Sequence, residues 1–183
     1  MTTDVRNFLR DDLSSVSVDS DDFAAFLATY RHLFEHSPWV VERAWDLRPF
    51  ASAAALHDAF WQVIDQASDA ERLSLVRAHP ELASKDALNR GLTASSRAEQ
   101  ASAGLDRLTD AEYEEFSALN AAYRNRFGFP FVICVRLHDK NSIVGELKSR
   151  LAGEPRAELV AAISQVGLIS KLRLAQLNGA GSR

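Results

Sequence analysis

The chain has 183 residues, 46% of them hydrophobic and 25% charged, with a net charge of −4 and a pI near 5.7. That length supports one domain with a substantial core. The mildly acidic balance excludes a strong field for recruiting nucleic acid or an anionic membrane surface. No apolar run approaches the roughly 20 residues of a membrane span, and the polar stretch up to Asp12 lacks the apolar segment of a signal peptide. A single cysteine, Cys134, excludes an intrachain disulfide and a cysteine-rich metal cage, which points to a reducing, cytoplasmic compartment.

Residues 1–18 are rich in Asp, Ser and Thr and are expected to form a flexible tail. Asp19-Ser20 offers an N-cap for a helix carrying Phe23, Phe26, Leu27, Tyr30, Leu33 and Phe34 at helical spacing. Ser37-Pro38 reads as a second start, with Ser as cap and Pro at the first helical position. The short helix that follows runs through Trp39, Val40 and Trp45 until Arg48-Pro49-Phe50 breaks it. Ser52 caps a helix with Leu56, Phe60, Val63 and Ile64 on its apolar face, and Ser68-Asp69 separates it from a helix ending at His79. Residues 84–92 read as a short helix or loop stopped at Gly91.

Further on, Ser96-Arg97-Ala98-Glu99 has the form of a capping box, with its helix continuing to Leu108. Thr109-Asp110-Ala111-Glu112 is a stronger box, followed by Phe116, Leu119, Tyr123 and Phe127 and stopped by Gly128 and Pro130. The run Phe131-Val132-Ile133-Cys134-Val135 has strand propensity, but one isolated run cannot make a sheet, so it reads as a buried extended segment or a helix start. Helical spacing returns from Lys140 through Ile143, Leu147 and Leu151, and a last helix spans 156–178 with Gly179 as its C-cap. The expected fold class is all-α, a single-domain bundle of about eight helices over residues 19–178, with a short tail at 179–183.

Chemistry concentrates at a few places. Pro80 pushes His79 out of helical geometry just past a helix C-terminus, where the helix dipole favours imidazolium by roughly 0.3–1 kcal/mol. The bland alternative is a surface helix stop that happens to contain His. Arg173 falls on the apolar stripe of Leu159, Ile163, Val166, Ser170 and Leu177. Facing inward, its guanidinium needs an internal carboxylate or a ligand carboxylate, unless the head reaches out to water. Glu99 serves either as a capping-box contact or in a functional role, as an acceptor for a polar substrate group or an orienter of His79. Gln100 donates and accepts at once, which suits a ureido or amide group. The turn Phe127-Gly128-Phe129-Pro130-Phe131-Val132 is either a buried connector or a stiff platform presenting backbone groups to a flat ligand. Trp39, Trp45 and Trp61 read as core or interface, and no metal-ligand set, phosphate loop or nucleophile elbow is present.

The ordered set Phe34-Glu35-His36-Ser37-Pro38-Trp39-Val40, Arg48-Pro49-Phe50, Ala78-His79-Pro80-Glu81-Leu82, Glu99-Gln100, Leu119-Asn120-Ala121-Ala122-Tyr123, the 127–133 turn and Leu172-Arg173-Leu174 resembles the 2-oxo-4-hydroxy-4-carboxy-5-ureidoimidazoline (OHCU) decarboxylase family. The resemblance spans nearly all of residues 20–178. It implies an all-helical, cofactor-free and metal-free enzyme, usually a homodimer, that converts its ureidoimidazoline to (S)-allantoin and CO2 in urate degradation. It also implies no nucleic-acid or membrane partner. Carried over by position, His79, Glu99 and Arg173 are the expected catalytic set. Pro80, Ser96, Gln100, Phe129, Pro130, Phe131, Val132 and Ile133 are the expected substrate contacts. The spelling Ser95-Ser96-Arg97-Ala98 departs modestly from the family's. The resemblance further implies a slow spontaneous reaction giving racemic product, so that the family's benefit is speed and handedness. A non-catalytic helical binding module and a decarboxylase of a related ureido acid remain the alternatives.

Overall fold

The computed structural model describes residues 21–84 and 92–180, with side chains to 177. Among the described residues the chain forms eight α-helices and three 3₁₀ turns, with no strand. The expected cap at Asp19-Ser20, the tail before it, most of the 84–92 segment and residues 181–183 lie outside the described residues. The chain divides into two compact units, Met1–Arg72 with Gly167–Arg183, and Leu73–Val166. Two helices run through the boundaries between them.

In the first unit, helix α1 (Phe23–Tyr30) is capped by Asp22, whose carboxylate accepts from the Ala24 and Ala25 amides. Helix α2 (Trp39–Ala44) starts one residue later than the sequence suggests. Pro38 occupies the cap with no side-chain hydrogen bond, while Ser37 is buried and takes the Val40 amide only on its carbonyl. Helix α3 (Ala53–Gln66) begins where expected, with the Ser52 hydroxyl accepting from Ala55 N–H at 3.1 Å. Its buried Leu56, Phe60, Val63 and Ile64 form the predicted face. Phe34 meets Phe60 edge-on at 5.3 Å, and Phe26 packs on Trp45 and Phe50. The buried Phe26, Phe34, Phe50 and Phe60 side chains each contribute roughly 1.5–3 kcal/mol.

Helix α4 (Asp69–Arg77) leads into the second unit; Ser68 and Glu71 bond reciprocally at its start. Helix α5 (Ala94–Ser102) corrects the sequence reading: its cap is Thr93, which accepts from Ser96 N–H at 3.2 Å. Ser96 is therefore inside the first turn, and Glu99 lies a turn beyond the capping-box position. The helix stops at Ser102, short of Leu108, and Gly104 at φ +77° carries the turn that follows. Helix α6 (Asp110–Phe127) has the full Thr109–Glu112 capping box and ends on Gly128 in the left-handed region at φ +76°, a geometry glycine adopts without steric cost. Helix α7 (Lys140–Leu151) packs against α6 and is boxed by Asp139 and Ser142. Helix α8 (Pro155–Ala180) includes Gly179, so the expected stop there does not occur. Between α6 and α7, residues 129–134 run without regular structure yet are buried except for the half-buried Pro130, which fits the buried extended segment read from the sequence.

Candidate active site

The second unit gathers most of the expected site residues around the turn after α4. His79 sits two residues past Arg77, buried, with its backbone N–H on the Val76 carbonyl at 3.2 Å. Its Nδ1 lies 3.0 Å from the Leu75 carbonyl. A carbonyl only accepts, so Nδ1 carries the hydrogen and Nε2 is the nitrogen that can gain or lose a proton. The bland reading, a surface helix stop, fails because the ring is inside and seated by the helix's own last turn.

Four contacts fix the chain that follows. Arg77 Nε donates to the Gly128 carbonyl at 2.9 Å, tying the histidine turn to the start of the aromatic bend. Arg124 of α6 pairs with Glu81 at 3.0 Å. Asn120, one turn earlier on α6, donates from Nδ2 to the Leu82 carbonyl at 2.8 Å. Gln100 of α5 accepts the Ala83 N–H on Oε1 at 3.0 Å. Ala83, buried, sits at φ +54°, the left-handed region that costs a non-glycine residue on the order of 1 kcal/mol or more. Pro80 is half-buried in this turn.

Ser96 and Gln100, both buried, stand four residues apart on one face of α5, and Glu99 beside them is half-buried. The bend supplies Phe129, Phe131, Val132 and Ile133 as buried residues. A second network holds it. Arg150 donates from Nη1 to the Val132 carbonyl at 2.8 Å, lies over the Phe131 ring at 4.7 Å and pairs with buried Glu158. Tyr123 donates to the same carboxylate. Burial, and then the bond to Glu158, push the Tyr123 phenol far above its ordinary range. The Cys134 amide is fixed by Gln165 Oε1 at 2.9 Å.

Arg173 belongs to the first unit. Its inward position is real: the side chain is 7% exposed. Of the three possibilities left open by the sequence, an internal carboxylate holds it, with Nη2 donating to Glu35 Oε1 at 2.8 Å. Nη1 donates to the His32 carbonyl at 3.3 Å. Leu177, expected on the same buried stripe, is instead exposed.

Two polar residues escaped the sequence reading. Asn120 was legible as a polar residue on the stripe of Phe116, Tyr123 and Phe127. His57, buried in α3 against the Gly167 carbonyl, gave no such signal; burial lowers its pKa to about 4. Among the described residues no group of three or more His, Cys, Asp or Glu is placed to hold a metal ion, and no helix is long and apolar enough to cross a membrane.

A buried imidazole oriented through Nδ1, side-chain amides and a rigid backbone bend define a helical protein equipped to bind a polar small molecule and move a proton on it. The OHCU decarboxylase family profile matches residues 19–175, so the chain belongs to that family. It is 39% identical over 165 residues to the 2-oxo-4-hydroxy-4-carboxy-5-ureidoimidazoline decarboxylase of Haloferax volcanii, covering 90% of this chain and 96% of that protein. The Mus musculus decarboxylase of the same name is 38% identical over 170 residues, covering 93% and 96%. The crystal structure of (S)-allantoin synthase superposes with a TM-score of 0.70 at 28% identity; the match covers 88% of this chain and 54% of that one.

Proposed function

We infer that this chain is a carboxy-lyase that decarboxylates the OHCU ureidoimidazoline to (S)-allantoin and CO2 in urate degradation. The observation that carries the reading is the seat of His79, a buried imidazole oriented by the Leu75 carbonyl within a chain whose family relatives bear that activity by name.

Loss of CO2 breaks the bond between the ring carbon and its carboxylate and leaves the electron pair on that carbon. The pair spreads onto an adjacent C=N or C=O, and a proton must then reach one face of the carbon. His79 Nε2 is assigned that transfer. Glu99 and Gln100 hold the ureido group, with Glu99 accepting from its N–H groups. Backbone groups of Phe129, Pro130, Phe131, Val132 and Ile133 meet the ring, with Pro80 and Ser96 completing the contacts. Arg173 is assigned charge stabilisation and orientation. A tight Arg–carboxylate bond in the ground state would slow CO2 loss, so the leaving carboxylate is better turned to a less polar wall.

Residues 19–178 are proposed to work as one catalytic domain, an extent supported by the family match at 19–175. A homodimer in a reducing, cytoplasmic setting fits the resemblance and the single, buried Cys134; light scattering of the purified protein reads the dimer directly. The activity is tested by supplying freshly generated substrate and following optical rotation. The expected result is (S)-allantoin formed faster than the spontaneous reaction. Racemic product at the spontaneous rate overturns the reading, and tight ligand binding without turnover would leave a binding module.

A further inference from the structure

Gln100 and Asn120 grip the same peptide unit. The Leu82 carbonyl receives Asn120 Nδ2 at 2.8 Å, and the Ala83 N–H donates to Gln100 Oε1 at 3.0 Å. These two bonds settle the orientation of both side-chain amides, because a carbonyl cannot donate and an N–H cannot accept. The remaining half of each amide is then also settled: Gln100 keeps a donor, Nε2, and Asn120 an acceptor, Oδ1. Both atoms are buried, both residues are about 95% removed from solvent (4% and 5% exposed), and neither atom has a hydrogen-bond partner among the described residues.

A clamp needed only to hold the turn would not bear this cost. Each buried, unpaired polar atom costs about 1–3 kcal/mol, and a folded domain has only about 5–15 kcal/mol of net stability. That cost is recovered if a bound molecule supplies the missing acceptor and donor. The geometry also selects which part of a molecule. In a trans peptide the C=O and N–H leave from opposite edges. Asn120 therefore stands on one edge of the 82–83 unit and Gln100 on the other. The complementary group must present an N–H to one side and a C=O to the opposite side. An open-chain ureido arm meets that requirement within one planar unit, and it is the group that the proposed function already places on Gln100.

We propose that Asn120 is a further substrate-binding residue, whose Oδ1 accepts from the ureido N–H of the ligand while Gln100 Nε2 donates to the ureido C=O. This deepens the function proposed above and rests on it for the identity of the ureido ligand.

The test is a cycle between one side chain and one ligand group. Binding of (S)-allantoin and of hydantoin, which lacks the ureido arm, is measured for the wild-type protein and for Asn120→Leu. The expected result is a loss of about tenfold in affinity for (S)-allantoin and less than about twofold for hydantoin. Equal losses for both ligands would show that Asn120 acts only through the 82–83 turn and would overturn the proposal, as would no loss for either. If Asn120→Leu lacks the wild-type helical CD spectrum, Asn120→Ser replaces it. A crystal structure of the wild-type protein with (S)-allantoin gives a readout independent of any variant: Oδ1 bonded to a ureido nitrogen supports the assignment, and Oδ1 bonded elsewhere ends it. Turnover of substrate by the wild-type protein is assayed alongside. Turnover without the expected selectivity sinks the Asn120 assignment alone, whereas no turnover sinks the decarboxylase reading.

Discussion

The His79 ring and the Leu75 carbonyl, four residues apart, meet at 3.0 Å through Nδ1. One nitrogen is thus committed to the fold, the proposed proton transfer falls to the other, and substitutions can separate the two jobs. Asn at position 79 can still offer an N–H near the Leu75 carbonyl but has no counterpart of Nε2. His79→Asn should keep the helical CD spectrum and thermal midpoint close to wild type while lowering the rate about 10²–10⁴-fold, the usual range for a lost proton-transfer group. His79→Ala should lose the same activity and also some stability, about 1 kcal/mol from the missing hydrogen bond. Stereospecific product at near wild-type rate from either variant would remove His79 from the mechanism.

The bend that carries residues 129–133 is held from behind by Arg150, Glu158 and Tyr123. Removing one partner of a buried ion pair leaves the other charge uncompensated and typically costs about 3–5 kcal/mol. Glu158→Leu and Arg150→Met should each approach that loss in urea unfolding. The double variant should lose clearly less than the sum, because it strands no charge. Arg150→Met should also raise KM, since the Val132 carbonyl loses the donor that fixes it. Additive losses with unchanged KM would show that the network does not position the bend.

Much of this arrangement was legible in the sequence because it rests on local signals. Thr109 with Glu112, Ser52, and Gly128 as a C-cap all obey short-range rules of hydrogen bonding and backbone geometry, and all stand where expected. The reading failed where two local solutions competed. Thr93 and Ser96 both suit an N-cap; Thr93 takes the role, which moves Glu99 into the second turn and removes the bland explanation for it. Gly179 continues helix α8 because a glycine can stop a helix but need not. The partner of Arg173 was predictable only as a class. Glu35 lies 138 residues away, and no periodicity links residues at that separation.

The Glu35–Arg173 pair fixes a guanidinium whose fork also reaches the His32 carbonyl. Lysine cannot reproduce two directed donors from one planar head. Arg173→Lys should therefore fold but lose about 10²-fold or more in kcat, if orientation and not charge alone matters. Glu35→Gln retains an acceptor while removing the countercharge. It should lower stability by a few kcal/mol and reduce kcat less than Arg173→Lys does. Urea unfolding and steady-state kinetics on the same samples measure both. Full activity in Arg173→Lys would show that position 173 contributes only positive charge.

Gly167 offers a test in which a normally favourable change reverses sign. Within a helix, Gly→Ala usually gains about 1 kcal/mol. Here a Cβ at 167 would stand 1.9 Å from Trp61 Cζ2, and the His57 ring is bonded to the Gly167 carbonyl at 3.1 Å. Gly167→Ala should cost about 1–3 kcal/mol or more, from displacement of the indole. In a Trp61→Leu background, which removes the colliding ring, the same substitution should become neutral or favourable. A cost that is identical in both backgrounds would mean that Trp61 is not the constraint.

His57 sets a pH window for stability. Desolvation in α3 is the main cause of its low pKa, about 4 against an ordinary 6.5, and nearby Lys171 adds to it, while the Gly167 carbonyl and Asp58 oppose the shift. Above pH 6.5 the ring is neutral both folded and unfolded, and it makes no pH-dependent contribution. As pH falls from 6.5 toward 4, the unfolded chain takes up the proton first, so folded stability declines. Below about 4 the ring is protonated in both states and the decline from this group stops. A shift of that size corresponds to about 3 kcal/mol. Glu71 and Glu112, each lowered to about 2 mainly by hydrogen bonds to Arg43 and Lys140, act in a separate window. Their contribution is present above about 4.5 and is lost only as pH falls toward 2. Urea unfolding of wild type and His57→Gln at pH 7.0, 5.5 and 4.5 isolates the histidine. Glutamine can keep a donor near the Gly167 carbonyl but does not titrate, so the variant should show most of the decline between pH 6.5 and 4.5 removed. A decline of equal size in both proteins would place the titrating group elsewhere.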